Sequence, residues 1–310
     1  MQIIVCITEE FMCTAISFQR NGDFFGRTLD AAMDYGGRCV LVPRFSVLSF
    51  SGGEMTGEHY ALLGVGIIED DIPLLFDAMN EWGLCGAGLS FPSLAKYEIA
   101  VGEKKEIASY ELILKILATS KSIAEVRGAL SGAKITDSAI NERLAPTPMH
   151  WIFSDCSGAV TVEQTENGLS VYENAEETLS NSPDFPFHER RYREFSALSP
   201  KNPDGDFLSL GYGAFGLPGD FASPSRFVRA SYMRKVAECK TPADFFRAID
   251  TVSIPKGAVI DEDGKAHYTT YTSCYDTRTR TLYKRTYPSA DIRSVSLTNN
   301  VKGKKTVQYI

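Results

Sequence analysis

The order in which the hydrophobic period changes along the chain constrains its fold most. Strand-like runs come first, at Thr14 to Gln19, Cys39 to Pro43 and Ala61 to Ile67. Residues 105 to 131 then switch to a helical period, with Ile113, Ile116 and Leu117 recurring at helical spacing. Ser122-Ile123-Ala124-Glu125 reads as a capping box opening a second helix, whose apolar face is Ile123, Val126 and Leu130. Gly132 stands past its last turn, where a glycine is favoured. Strands return after Pro148, at His150 to Asp155, Ala159 to Thr165 and Leu169 to Glu173. Ser157-Gly158 and Asn167-Gly168 separate them, which predicts an antiparallel meander. Ser223-Pro224 and Thr241-Pro242 each open a further helix, with proline in the first turn. His267 to Cys274 and Thr281 to Tyr287 form a last hairpin. This is an antiparallel α+β order, not the βαβ alternation of a parallel sheet. It predicts two sheets covered by helices around one large core.

Between these blocks, Leu179 to Phe221 has no period and is punctuated by proline and glycine. It reads as a long loop, and long ordered loops in compact domains are usually functional. Gly83 to Pro92 is rich in glycine and small residues, as where a backbone or ligand approaches closely or a sheet packs tightly. His150, at a strand start, reads as a structural histidine with no evident catalytic partner.

Composition excludes several functions. A formal charge of −7 over 310 residues argues against nucleic-acid binding, which needs a basic face. No apolar run approaches the ~18 residues of a membrane span. The seven cysteines are scattered, without the paired spacing of a zinc site, and fit a cytoplasmic protein with reduced thiols. Residues 1 to 11 contain Glu9 and Glu10 and lack a basic region, so they do not read as a secretory signal. Ile3-Ile4-Val5 could form a short strand, or the segment could be a short propeptide. The favoured reading is a start codon called too early, with Met12 as the true start. Residues 1–12 are thus an extension absent from the active form, and 13–310 a single domain.

That boundary matters because Met12-Cys13-Thr14-Ala15-Ile16-Ser17-Phe18 puts a thiol at the head of a strand. An N-terminal Cys13 would carry an α-amine of pKa near ~8 beside a thiol near ~8.5. Nucleophile and general base would then sit on one residue. The plain alternative is a small buried strand residue. Asn21-Gly22 reads as the turn of a hairpin that lays Arg27 and Asp30 beside Cys13. Such a pair is commonly a surface ion pair; in a buried cleft it would orient the amine and pull the thiol pKa down.

Seven short motifs follow one another in a specific order. They are Cys13-Thr14, Phe25-Gly26-Arg27-Thr28-Leu29-Asp30, Pro43-Arg44 and Met79-Asn80-Glu81-Trp82-Gly83-Leu84. Then come Ala87-Gly88-Leu89-Ser90-Phe91-Pro92, Asn181-Ser182-Pro183, and Gly216-Leu217-Pro218-Gly219-Asp220-Phe221 through Ser225-Arg226-Phe227. The series resembles the choloylglycine hydrolase family, which holds bile salt hydrolases and penicillin V acylases, from Met12 to the C-terminus. The resemblance implies a four-layer αββα sandwich of two antiparallel sheets, the N-terminal-nucleophile hydrolase fold. It implies Cys13 as nucleophile and Arg27 and Asp30 as the pair that positions thiol and amine. Asn181 would be the side-chain donor of the oxyanion hole and Arg226 the support of the polar network. The plain alternatives are an Asx-turn for Asn181 and a helix-end charge for Arg226.

Ser90 departs from the family pattern, in which bile salt hydrolases usually carry asparagine and some penicillin V acylases tyrosine. Its backbone N–H would still serve the oxyanion. The resemblance implies a small-molecule amide substrate, a conjugated bile salt or, alternatively, penicillin V. Neither metal nor cofactor is implied. Met33, Tyr35, Phe76 and Phe215 are candidate contacts for the acyl group. A homo-oligomer, a tetramer by the resemblance, is expected to meet along Phe185 to Phe215, which carries Phe187, Tyr192, Phe195 and Phe207.

Overall fold

A computed structural model describes residues 11–56, 58–103, 105–141, 144–202, 213–301 and 303–310. The Ile3-Ile4-Val5 strand, Cys6 and Phe207 lie outside the described residues. Two large antiparallel sheets stack face to face, as the α+β order predicts. The first runs, in spatial order, Thr178–Leu179, Met12–Ser17, Phe24–Ala31, Ala266–Asp276, Thr281–Thr286 and Arg293–Ser296, with Val259–Ile260 also paired to Ala266–Asp276. The second runs Gly168–Glu173, Gly158–Thr165, Met149–Asp155, Cys85–Ser90, Ile72–Asn80, Leu62–Glu69, Arg38–Val42 and Gln308–Tyr309.

Three apolar layers hold these sheets. Between them lie Phe25, Leu63, Met79, Ile152, Tyr271 and Tyr275, with Cys13 in the same layer. Outside the second sheet, the helices Leu112–Thr119 and Ile123–Leu130 bury their predicted faces against Val40, Trp151 and Phe153. Outside the first, Phe245, Phe246 and Ile249 of helix Pro242–Ile249 cover Ile16, Phe18 and Phe24. Each such large side chain contributes roughly 1.5–3 kcal/mol on burial. The result is the αββα sandwich.

Two local expectations need correction. Asn21-Gly22 is not a two-residue hairpin turn. Gln19–Gly22 forms one helical turn, and Asp23 takes the left-handed conformation at φ 61°. Gly22 is required for proximity, since a Cβ there would lie 2.2 Å from the Cys239 carbonyl oxygen. The strands still pair as expected, with Cys13 opposite Leu29 and Met12 opposite Asp30. The second correction concerns the long loop, which contains a helix at Phe185–Arg193. Asp184 caps it by accepting from Phe187 N at 3.2 Å, and Phe185 and His188 are buried. The proline cluster around Ser182-Pro183 conceals the helix, which is stabilised by tertiary packing rather than periodicity. Phe187, Tyr192 and Phe195 are half-buried, and Tyr192 meets Phe227 edge-on. Among the described residues no helix is long and apolar enough to cross a membrane.

Candidate active site

Pairing of Met12–Ser17 with Phe24–Ala31 sets Cys13 beside Arg27 and Asp30, as the sequence suggests. All three are buried. The Arg27 guanidinium touches Cys13 Sγ through Nη2. Its Nε donates to Thr28 O at 3.1 Å and its Nη1 to Gly88 O at 2.5 Å, so the group bridges the two sheets. Asp30 accepts from the hydroxyls of Thr28 at 3.1 Å and Thr269 at 2.5 Å.

Asn181 arrives from the Ser180–Pro183 turn, which contains a cis Ser182-Pro183 bond. Its Oδ1 accepts from Cys13 N at 2.5 Å and from Arg226 Nη2 at 2.8 Å. Its Nδ2 donates to Phe11 O at 2.9 Å and Ser90 O at 2.8 Å. Arg226, from helix Ser223–Val236, also donates to Cys13 O, to Thr14 Oγ1 at 2.7 Å and to Phe221 O at 3.0 Å. The structure therefore brings together all five residues assigned to the chemistry.

Ser90 completes the group. It is paired opposite Met149. Its carbonyl instead accepts from Asn181, while Met149 N donates to Tyr97 Oη at 2.7 Å. The pair thus occupies a non-hydrogen-bonded position of the ladder, and the Ser90 N–H is aimed away from Met149–Asp155, on the same side as its own carbonyl. An apolar cavity opens over the thiol, lined by Cys13, Ser90, Phe11, Tyr35, Phe76 and Tyr110. Tyr35 and Phe76 are thus placed in its wall. Met33 and Phe215 stand outside it, both exposed at the surface.

Electrostatics corrects one expectation. Burial pushes the Cys13 thiol above its ordinary value; Arg27 pulls it back, Asp30 pushes it further up, and Arg226 pulls it down. The Arg27–Asp30 pair does not by itself deliver an acidic thiol in the intact chain. Asp30 is likewise raised by burial against the pull of Arg226. Arg226 is lowered by burial against the pull of Asp30.

Several supporting residues carry no sequence signal. Asn181 O accepts from Ser223 Oγ at 2.8 Å and lies 2.7 Å from His188 Nε2. His188 is stacked on Phe227 at 4.8 Å. His150 does have a partner: Nδ1 lies 3.0 Å from Glu163 Oε1, and its ring stacks on Phe91 at 4.3 Å.

Burial lowers the His188 pKa to about 4. The unfolded side chain titrates near ~6.5, so the fold favours neutral His188. Its stability is complete above ~6.5 and declines as pH falls toward 4. Urea unfolding at pH 7.5 and 4.5 is expected to show on the order of 2–3 kcal/mol of acid destabilisation from this residue. His188→Gln should shrink the difference by that amount; an undiminished difference assigns the loss elsewhere.

Two stacked antiparallel sheets with helices on both outer faces form the fold of the N-terminal-nucleophile hydrolases. A family profile described as linear amide C–N hydrolases, choloylglycine hydrolase family, matches residues 13–306. A bile salt hydrolase/transferase of Lactiplantibacillus plantarum is 36% identical over 299 residues, covering 92% of this chain and 92% of that protein. The crystal structure of a mutant conjugated bile acid hydrolase from Clostridium perfringens has a TM-score of 0.87 at 31% identity, over 96% of each chain. A penicillin V acylase from Agrobacterium tumefaciens shares the fold, with a TM-score of 0.75 at 18% identity over 96% of this chain and 90% of that one. The chain belongs to the choloylglycine hydrolase family and is a hydrolase of linear amide bonds.

Proposed function

We propose that the protein deconjugates glycine- or taurine-conjugated bile salts with Cys13 as an N-terminal nucleophile. The carrying observation is the convergence of Arg27, Asn181 and Arg226 on Cys13 at the wall of an apolar cavity. Removal of residues 1–12 turns Cys13 N from an amide into an amine, and the family match beginning at residue 13 supports that boundary. The amine takes the thiol proton as Sγ attacks the amide carbon. Asn181 Nδ2 and the Ser90 N–H face the oxygen on which negative charge develops. The tetrahedral intermediate collapses, the amine's proton goes to the departing nitrogen, and a thioester remains. Water, deprotonated by the same amine, releases the acid and restores the thiol. Asp30 and Arg226 hold this arrangement by charge and hydrogen bonding.

Parallel assays on glycocholate, taurocholate and penicillin V test the reading. Faster hydrolysis of the bile salts is expected. Turnover confined to penicillin V would move the assignment to an acylase, the alternative the shared fold accommodates. We place the enzyme in the cytoplasm, where its thiols stay reduced; Cys13, Cys39, Cys85, Cys156, Cys239 and Cys274 are all free. A homo-tetramer now rests on the family likeness alone, because the aromatics of 185–195 pack partly on their own fold. Light scattering should give the tetramer mass at micromolar concentration.

Ser90 sets the expected specificity. A water can fill the space a longer amide would take, so the wild type stays active with a relaxed preference. Ser90→Asn should raise kcat/KM for conjugated bile salts relative to penicillin V several-fold, about 1 kcal/mol for one hydrogen bond. An unchanged ratio leaves position 90 with only its backbone role.

A further inference from the structure

Asp77 lies on strand Ile72–Asn80, fully buried between the sheets. Two tyrosines of the opposite sheet hold its carboxylate: Tyr271 Oη donates to Oδ2 at 2.5 Å and Tyr275 Oη to Oδ1 at 2.6 Å. Tyr275 Oη also lies 3.0 Å from the Asp77 carbonyl oxygen. Arg27 reaches the same place. Its Nη1 donates to Phe76 O at 3.3 Å, one residue before Asp77, and to Gly88 O at 2.5 Å. Gly88 directly follows Ala87, the strand partner of Asp77. The guanidinium that touches Cys13 Sγ is thus seated next to Asp77 on its own strand and next to its partner Ala87 on the adjoining one.

We propose that Asp77 is a positioning residue for the Cys13 chemistry: its tyrosine-held carboxylate is the counter-charge that seats Arg27 under the thiol. The proposal rests on Cys13 being the nucleophile. Four buried ionic groups meet in this layer, Arg27 and Arg226 against Asp30 and Asp77. With both carboxylates ionised their charges cancel. They cancel equally for a neutral thiol with a neutral amine and for a thiolate with an ammonium, so the proton passes between sulfur and nitrogen without a change in net buried charge. The other groups facing Asp77 are the thiols of Cys39 and Cys85, both raised by burial, and the hydroxyls of Tyr271 and Tyr275. Lys284, from strand Thr281–Thr286, stands 5.1 Å over the Tyr271 ring. Asp77 in turn raises Arg27, behind Cys13 and Tyr271 among the groups that do so.

The test uses the mature enzyme beginning at Cys13. Alkylation of Cys13 by iodoacetamide is followed across pH by mass of its N-terminal peptide, beside the pH profile of kcat/KM. Asp77→Asn leaves one uncompensated positive charge. The alkylation midpoint and the acid limb of kcat/KM should both move down by about one pH unit, with KM little changed. Tyr271→Phe keeps the charge but removes a donor that screens it, so the midpoint should move up. A folded Asp77→Asn with an unmoved midpoint overturns the inference and leaves Asp77 as a tie between sheets. If Asp77→Asn does not fold, Tyr271→Phe decides, and an unmoved or lowered midpoint overturns it. If wild-type alkylation at Cys13 does not abolish turnover, the nucleophile reading falls and this inference with it. If it does, an unmoved midpoint sinks the inference alone.

Discussion

Purified Cys13→Ser is expected to lose hydrolysis by at least ~10³-fold while keeping its fold. The thiol is in contact with Arg27, and its backbone is held by Asn181 and Arg226. A serine hydroxyl fits the same space and still accepts from Arg27, so stability should change by no more than about 1 kcal/mol. It is, however, far harder to ionise and a poorer nucleophile at neutral pH. Rates on glycocholate should be read beside thermal melts of both proteins. A serine variant that melts normally and retains a substantial fraction of wild-type rate would remove Cys13 from the mechanism. Serine at Cys39, Cys85, Cys156, Cys239 or Cys274 should leave turnover largely intact. Cys85, Cys239 and Cys274 are buried and are expected to lose some stability instead.

A chain that keeps residues 1–12 is expected to be inactive, and for two separate reasons. Cys13 N is then an amide, whose lone pair is delocalised into the Met12 carbonyl and cannot receive the thiol proton. The chain also occupies its own site. Phe11 O accepts from Asn181 Nδ2, one of the donors proposed for the oxyanion, and the buried Phe11 ring packs edge-on to Tyr35 at 4.6 Å in the cavity wall. Loss of one oxyanion donor alone typically costs ~10²-fold or more. A protein begun at Met12 should mature to Cys13, since methionine aminopeptidase accepts a small second residue, and should be active. Specific activity should therefore rise across preparations as the fraction of chain whose intact mass lacks residues 1–12 rises. An active preparation whose mass includes residues 1–12 would refute the N-terminal amine as base.

The resemblance drawn from seven ordered motifs anticipated the sandwich, and the local signals anticipated most of its strands and helices. Alternation and turn residues act over a few positions, so Ser157-Gly158 and Asn167-Gly168 locate their meander without knowledge of the rest. The same locality explains the failures. The helix Phe185–Arg193 depends on burying Phe185 and His188 under Phe227, and no period announces it. At Asn21-Gly22 the chain makes a helical turn instead, with Gly22 where the backbone of Cys239, far along the chain, leaves no room for a Cβ. Tyr35 and Phe76 were found as wall residues, but Tyr110 and Ile140, which line the same cavity, were missed.

By itself the sequence determined the two-sheet order, the thiol at a strand head and, through its motifs, which side chains to test. Tertiary structure decided whether those side chains meet. Asn181 reaches Cys13 across 168 positions and Arg226 across 213, through hydrogen bonds that no local pattern encodes. It also decided the thiol's electrostatics. Burial between two sheets raises the Cys13 pKa more than Arg27 lowers it, and burial belongs to the packed molecule rather than to any stretch of it.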